Sequence, residues 1–279
     1  MKLLATFVMT TMLSLISCSS LDGELSDAQN ARNKHLKDNN IEFMPLEIMF
    51  PDPKVRALAK AAGNGDLDTI EKLVDEGVDV NSKGKRKATP IIVAFGNIHG
   101  FRKLLELGAD PNVVYDDGTA VMHWAARHRD IAFLKAALEH NGDPNIVDSF
   151  SFKETTLIAS IRSDGKFGEY PQTILLLDAG ADLDKKDAFG GTAVIKAAIL
   201  KRYDIVYELL NRGADYTIET DRYVSLSSLM HRDRSSLNKS DKSYVWFTKS
   251  ENWLNDKGFA VKPSVRRGIK VDIKDGPRS

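Results

Sequence analysis

A short signature returns five times along this chain: Gly77-Val78-Asp79, Gly108-Ala109-Asp110, Asn141-Gly142-Asp143, Gly180-Ala181-Asp182 and Gly213-Ala214-Asp215. Successive aspartates stand 31, 33, 39 and 33 residues apart. A period near ~33 residues marks a stacked array, in which no unit can bury its apolar face alone and each leans on its neighbours. Such arrays offer a long surface to another molecule more often than a deep catalytic pocket.

Each unit reads as a helix pair closed by a turn. In the last one, Thr192-Ala193-Val194-Ile195-Lys196-Ala197-Ala198 opens a first helix, with Thr192 placed to cap free amides and the paired alanines permitting close helix approach. Ile205, Val206, Leu209 and Leu210 share one face of a second helix, and Gly213 supplies the left-handed residue that ends it. In the third unit Asn141 holds that place, consistent with its tolerance of positive φ.

These segments resemble the ankyrin repeat, whose unit runs Asp-x-x-Gly-x-Thr-Pro-Leu-His-x-Ala-Ala and ends Leu-Leu-x-x-Gly-Ala-Asp. The resemblance rests on Ala61 to Leu67 with Leu73-Val74, and on Thr89-Pro90-Ile91 with Leu104-Leu105. It continues through Asp117-Gly118 with Met122-His123-Trp124-Ala125-Ala126, then Thr155-Thr156-Leu157 with Leu176-Leu177, and Asp187 to Ala198 with Leu209-Leu210. It implies an all-α solenoid of about five repeats over residues 56–221, with β-turn tips. Residues 41–55, apolar but broken by prolines, are expected to cap the first unit. Residues 222–260 are expected to form C-terminal capping helices around Val224, Leu226, Leu229 and Met230, then Tyr244, Trp246, Phe247, Trp253 and Leu254, ended by Gly258. The basic stretch 261–279 reads as a loose tail. The second unit is two residues short, which is placed near Phe95 to Gly100. The fourth carries six extra residues, partly before Thr155 and mostly within Arg162 to Pro171, and an insertion in a stack becomes an exposed loop that would present Phe167 and Tyr170 to solvent.

Residues 1–17 read as a secretory signal: a basic Met1-Lys2, an apolar run from Leu3 to Ile16, and the small Ser17. Leu15-Ile16-Ser17-Cys18-Ser19-Ser20 resembles the lipobox of bacterial lipoproteins, which implies lipid on Cys18 and, with Ser19 following, sorting to the outer membrane. The alternative is an ordinary signal peptide with a chance cysteine. Cys18 is the only cysteine of the chain. Residues 18–40 are polar and read as a tether; about 30 flexible residues reach roughly 30 Å, which would hold the domain near the bilayer.

Formal net charge is zero, and no basic stripe runs along the repeats, so nucleic acid is not expected as a partner. The basic patch Lys83, Lys85, Arg86 and Lys87 falls at one turn tip, where a solvated loop competes with a binding site. No nucleophile elbow, Walker loop, His-Glu-x-x-His pair or cysteine cluster occurs. Asp178, Asp182, Asp184 and Asp187 imitate a calcium loop but lack its closing glutamate and coincide with a repeat turn. His123 falls at the ankyrin pattern's histidine, a structural hydrogen-bonding position. Catalytic residues, metal and cofactor are therefore all expected to be none.

By the ankyrin resemblance, partner-binding residues lie at turn tips and at the exposed ends of first helices. The tips carry over to Lys85 and Arg86, to Tyr115, Asp116 and Asp117, to Ser151 and Phe152, and to Ala188 and Phe189. The helix ends carry over to Arg127 and His128, Arg162 and Ser163, and Ile199 and Leu200. Aromatic and arginine anchors dominate interfaces, so Tyr115, Phe152, Phe167 and Phe189 are the expected hot spots, with folding back onto neighbours the competing reading for each. A narrower resemblance rests on Phe50 to Ala62, Met122 to Ala126, Gly142-Asp143-Pro144-Asn145 and Val206 to Leu210 with Gly213 to Thr217. These runs look like Gram-negative ankyrin lipoproteins that serve as immunity proteins of type VI secretion phospholipase effectors. That likeness implies a protein partner, a secreted phospholipase, bound at the periplasmic face of the outer membrane; an envelope scaffold or stress factor is the alternative.

Overall fold

The computed structural model describes residues 44–116, 118–149 and 152–262. Cys18, the 18–40 tether, most of the basic tail, Asp117 and Ser151 lie outside the described residues. The helices are Leu46–Met49 (α1), Pro53–Asn64 (α2), Leu67–Asp75 (α3), Ile98–Glu106 (α4), Val121–Arg127 (α5), Ile131–Glu139 (α6), Thr156–Ser160 (α7), Pro171–Asp178 (α8), Ala193–Ile199 (α9), Tyr203–Asn211 (α10), Leu226–Asp233 (α11) and Lys242–Asp256 (α12). Among the described residues, extended pairing is limited to the isolated bridges Val114–Ala120, Val147–Thr155 and Glu219–Ser225. The all-α ankyrin solenoid expected from the sequence is the fold.

Local chemistry sets the boundaries. Asp52 accepts the Lys54 and Val55 amides and Pro53 opens α2 at a position whose missing N–H costs nothing; Gly65, at φ 74°, closes it. Asn97 and Asp130 cap α4 and α6 with their side chains. Asn141 adopts φ 65°, as its place at a helix end requires. In the second unit the first helix is wound as a 3-10 segment, Pro90–Gly96. The larger rise of that winding lets a unit two residues short still span its neighbours.

First helices (α2, the 3-10 segment, α5, α7, α9, α11) form one row and second helices (α3, α4, α6, α8, α10, α12) the other. Alanines hold the rows together: Ala59, Ala62, Ala125, Ala126, Ala197 and Ala198 have no exposed surface. At the N-terminal end Met49 and Phe50 are buried and α1 packs on α2. At the other end α12 packs on α10, with Tyr203 and Phe247 edge to face at 5.0 Å and the Tyr203 hydroxyl donating to Asp233 at 2.9 Å.

The repeated Gly-x-Asp signature builds a hydrogen-bonded ladder along the stack. Each aspartate accepts the amide two residues on: Asp79 from Asn81, Asp110 from Asn112, Asp143 from Asn145. Each asparagine then clamps the next turn twice. Asn81 donates to the Gly108 carbonyl and accepts from the Asp110 amide, both at 2.8 Å; Asn112 does so with Asn141 and Asp143, and Asn145 with Gly180 and Asp182. In the fourth unit Asp184 stands in the asparagine's place. It accepts from the Asp215 amide at 2.9 Å but, as a carboxylate, has no donor for the Gly213 carbonyl. Asp184→Asn restores the missing rung and is expected to raise stability by about 0.5–1 kcal/mol, read as a higher urea midpoint at unchanged slope.

Candidate protein-binding face

Between units the chain turns through a hairpin finger, and the fingers are joined by single backbone bonds. The Asp116 amide donates to Arg86, Ser149 to Gly118, Ala188 to Phe152 and Asp221 to Phe189, at 2.7–3.1 Å. The fingers thus form a continuous wall beside the first helices, whose C-terminal ends make the opposite rim.

Along the wall the expected tip residues separate. Lys85 is exposed; Lys87 pairs with the exposed Asp116 at 2.6 Å. Phe152 and Phe189 sit on adjacent fingers, 42% and 46% exposed, with ring centroids 5.7 Å apart. Tyr115 does not belong with them. It is 1% exposed and lies in the core, because its amide donates to Thr119 and its carbonyl accepts from Gly118, a tight turn that faces the ring inward. A residue not anticipated, Tyr223, is 54% exposed on the last finger. Its register, two residues before the cap of the following helix, was the available signal.

The rim is tied by arginines. Arg127 pairs with Glu154, which also faces Lys196 at 3.6 Å. Burial alone would raise the Glu154 carboxyl, but Arg127 and Lys196 hold it below the usual carboxylate range. Arg162 grips Asp164 and donates to the Arg127 carbonyl at 2.6 Å; Arg202 in turn donates to the Arg162 carbonyl at 2.7 Å. His128 is half-buried, packed on Phe133 with centroids 4.2 Å apart. The insertion of the fourth unit is a loop, as expected, but Phe167 and Tyr170 are half-buried in it and not presented to solvent. The reason is Arg202: it lies under the Phe167 ring at 5.5 Å and donates to the Lys166 carbonyl, while Asp204 accepts the Gly168 amide at 2.8 Å. A cleft of about 370 Å³ opens beneath this loop, lined by Arg129, Arg162, Asp164, Glu169, Tyr170 and Arg202 among others.

His123 is fully buried, its Nε2–H donating to the Glu154 carbonyl at 2.8 Å. Its Nδ1 meets no partner among the described residues. Three residues earlier the cap position holds Ala120, whereas the equivalent caps Thr89 and Thr192 carry hydroxyls that are themselves buried and unpartnered, opposite Ile92 and Ile195. Thr192 therefore does not cap α9 with its side chain, contrary to expectation. The hydroxyl and the imidazole that could satisfy each other stand in different units.

Burial, reinforced by Arg127, pushes the His123 imidazole down to about 4. Its unfolded value is near 6.5, so the unfolded chain takes up the proton first. The stability is fully present above about 6.5 and is lost as pH falls toward 4. A loss of about 2 kcal/mol between pH 7 and pH 5 is expected in urea titrations, with Glu154 adding a loss of the same sign at its lower range. His123→Gln should flatten the upper part of that curve; an unchanged slope would contradict the assignment.

No group of His, Cys, Asp and Glu able to hold a metal ion occurs among the described residues. The aspartates that imitate a calcium loop are engaged elsewhere: Asp182 with the Asp184 amide, Asp187 with the Phe189 and Gly191 amides, and Asp178 with Arg212. The described helices include none long and apolar enough to cross a membrane.

Stacked helix pairs, hairpin fingers and the asparagine ladder give this chain an ankyrin-repeat fold. Residues 122–220 match the family model for ankyrin repeats (3 copies). Among curated proteins, Protein PhlB of Serratia liquefaciens is 30% identical over 148 residues, covering 52% of this chain and 63% of PhlB. The E3 ubiquitin-protein ligase KEG of Arabidopsis thaliana is 22% identical over 253 residues, 72% of this chain and 16% of the ligase. The chain thus spans less than two thirds of either relative. The crystal structure of an ankyrin repeat domain from Acinetobacter baumannii superposes with a TM-score of 0.60 at 22% identity, over 72% of this chain and 97% of that one. Ankyrin repeats are protein-interaction modules, and the face described here is the surface such a module offers.

Proposed function

We propose that this protein is a lipid-anchored, periplasm-facing inhibitor that neutralises a secreted phospholipase effector by covering it, as an immunity protein of type VI secretion. The observation that carries the binding half of this reading is the exposed aromatic pair Phe152 and Phe189 on adjacent rigid fingers. Exposed aromatic rings on a pre-organised wall gain apolar burial only from a partner, and a rigid face of ordinary interface size, ~800 Å² per partner, needs no chemistry to hold tightly. The location half rests on the lipobox-like run Leu15 to Ser20, with cleavage before Cys18, lipid on its sulfur and residues 18–40 as the tether. Each buried CH₂ of an acyl chain contributes ~0.8 kcal/mol, so several chains on one cysteine anchor durably. The choice of a phospholipase as partner rests on the likeness of Phe50 to Ala62, Met122 to Ala126, Gly142 to Asn145 and Val206 to Leu210 with Gly213 to Thr217 to the immunity group.

Deletion of the gene followed by challenge with kin attackers tests the reading in cells; sensitivity restored to resistance by the wild-type gene is expected. Unchanged survival sinks the immunity role and leaves an envelope scaffold. Mass spectrometry of the membrane fraction should find Cys18 acylated, and a free thiol there would remove the anchor.

A further inference from the structure

One position of every finger lies in the left-handed region. Two residues before the cap of the following helix stand Lys87, Gly118, Lys153, Gly190 and Tyr223, at φ 59°, 88°, 45°, 75° and 59°. A residue with a Cβ is strained there and glycine is not; a bulky side chain at positive φ is an outlier that asks for a reason. Gly118 and Gly190 are the relaxed solutions. Lys87 has a local reason, since its ammonium pairs with Asp116 at 2.6 Å. Lys153 and Tyr223 have none within the chain: among the described residues neither side chain makes a hydrogen bond, ion pair or ring contact, and Tyr223 is 54% exposed. Strain kept where the fold gains nothing from the side chain points to a contact made outside the fold.

The two strained residues flank the exposed aromatic pair. Phe152 precedes Lys153 on one finger, Phe189 lies on the next, and Tyr223 lies on the one after, joined by the bonds Ala188 to Phe152 and Asp221 to Phe189. We propose that Phe152, Lys153, Phe189 and Tyr223 form one contact patch across the last three fingers, for a protein surface that sets a carboxylate opposite the Lys153 ammonium within an apolar rim. An exposed ammonium on a finger that also carries an exposed ring, with no carboxylate in ion-pair range among the described residues, is complementary to an acidic side chain framed by apolar groups. The inference rests on the protein-binding reading but not on the partner's being a phospholipase.

Two measurements test it. In thermal unfolding of the whole chain, Lys153→Gly and Tyr223→Gly should each melt about 1–3 °C higher, since relief of strain outweighs the glycine entropy. Melting below wild type would mean that these side chains serve the fold, and would overturn the proposal. In cells, a photoreactive benzophenone side chain placed at position 189 or 223 should capture a protein on irradiation, while the same probe at position 72, on the exposed outer face of α3, should not. The adduct at 189 should fall about tenfold or more with Lys153→Glu and persist with Lys153→Arg. Capture at 72 alone, capture of lipid in place of protein, no adduct at either finger, or indifference to Lys153→Glu would each overturn it. A captured protein without lipase activity that still responds to Lys153→Glu supports this patch while removing the immunity reading.

Discussion

Replacing Arg202 with methionine is expected to lower the unfolding free energy by about 3–5 kcal/mol, a large share of the ~5–15 kcal/mol typical of a folded domain. The Arg202 side chain is 2% exposed and its partner Asp204 fully buried, joined by two bonds of 2.9 and 2.8 Å. Without the guanidinium, the buried Asp204 carboxylate keeps only the Gly168 amide. Three anchors of the fourth unit's loop go with it: the bonds to the Arg162 and Lys166 carbonyls and the packing under Phe167. Chemical denaturation checks the loss. The double variant Arg202→Met with Asp204→Leu should recover most of it, because an apolar pair of similar volume replaces a buried ion pair at little cost. Equal instability of the single and double variants would mean that the loop anchors, and not the stranded charge, carry the energy.

Gly100→Ala should destabilise by about 3 kcal/mol, against the direction that helix propensity alone dictates. Gly100 is the third residue of α4, and alanine in place of glycine within a helix normally gains up to about 1 kcal/mol. Here a Cβ at Gly100 would lie 1.9 Å from the Ala62 carbonyl oxygen and 2.7 Å from its carbon, so α4 and α2 could not keep their present separation. Backbone cannot yield as the end of a flexible side chain does, and overpacking of this kind outweighs the propensity gain. Because neighbouring units stabilise one another, the effect should spread through the first two units, visible as faster amide exchange in α2 and α4 together. An increase in stability would show that the two backbones are further apart than described.

Periodic features were legible in the sequence. The spacing of Gly-x-Asp fixed the number and order of units, and the Asn141 substitution at a helix end marked the same register that its φ of 65° later shows. What escaped were contacts between units that have no signature in either one. Tyr115 looks like any aromatic at a turn tip, and only the inward turn of its finger buries it. Phe167 and Tyr170 sit in an insertion that polarity and length mark as exposed, yet Arg202, some 35 residues on, gathers the loop back against the fifth unit. Tyr223 escaped for the opposite reason, since the last finger belongs to no complete repeat and its tip had no template residue to match. The missing side-chain cap at Thr192 left no trace in the sequence either, since Thr155, with an isoleucine at the same offset, does accept the Ile158 amide.

Hydrogen exchange on the chain with and without its captured protein partner bears on the whole account. Slowed exchange is expected in the fingers around residues 152–155, 188–190 and 221–224 and at the ends of the first helices, with the second helices α3, α4, α6 and α8 unchanged. Protection confined to those second helices, with the fingers exchanging as freely as before, would contradict it.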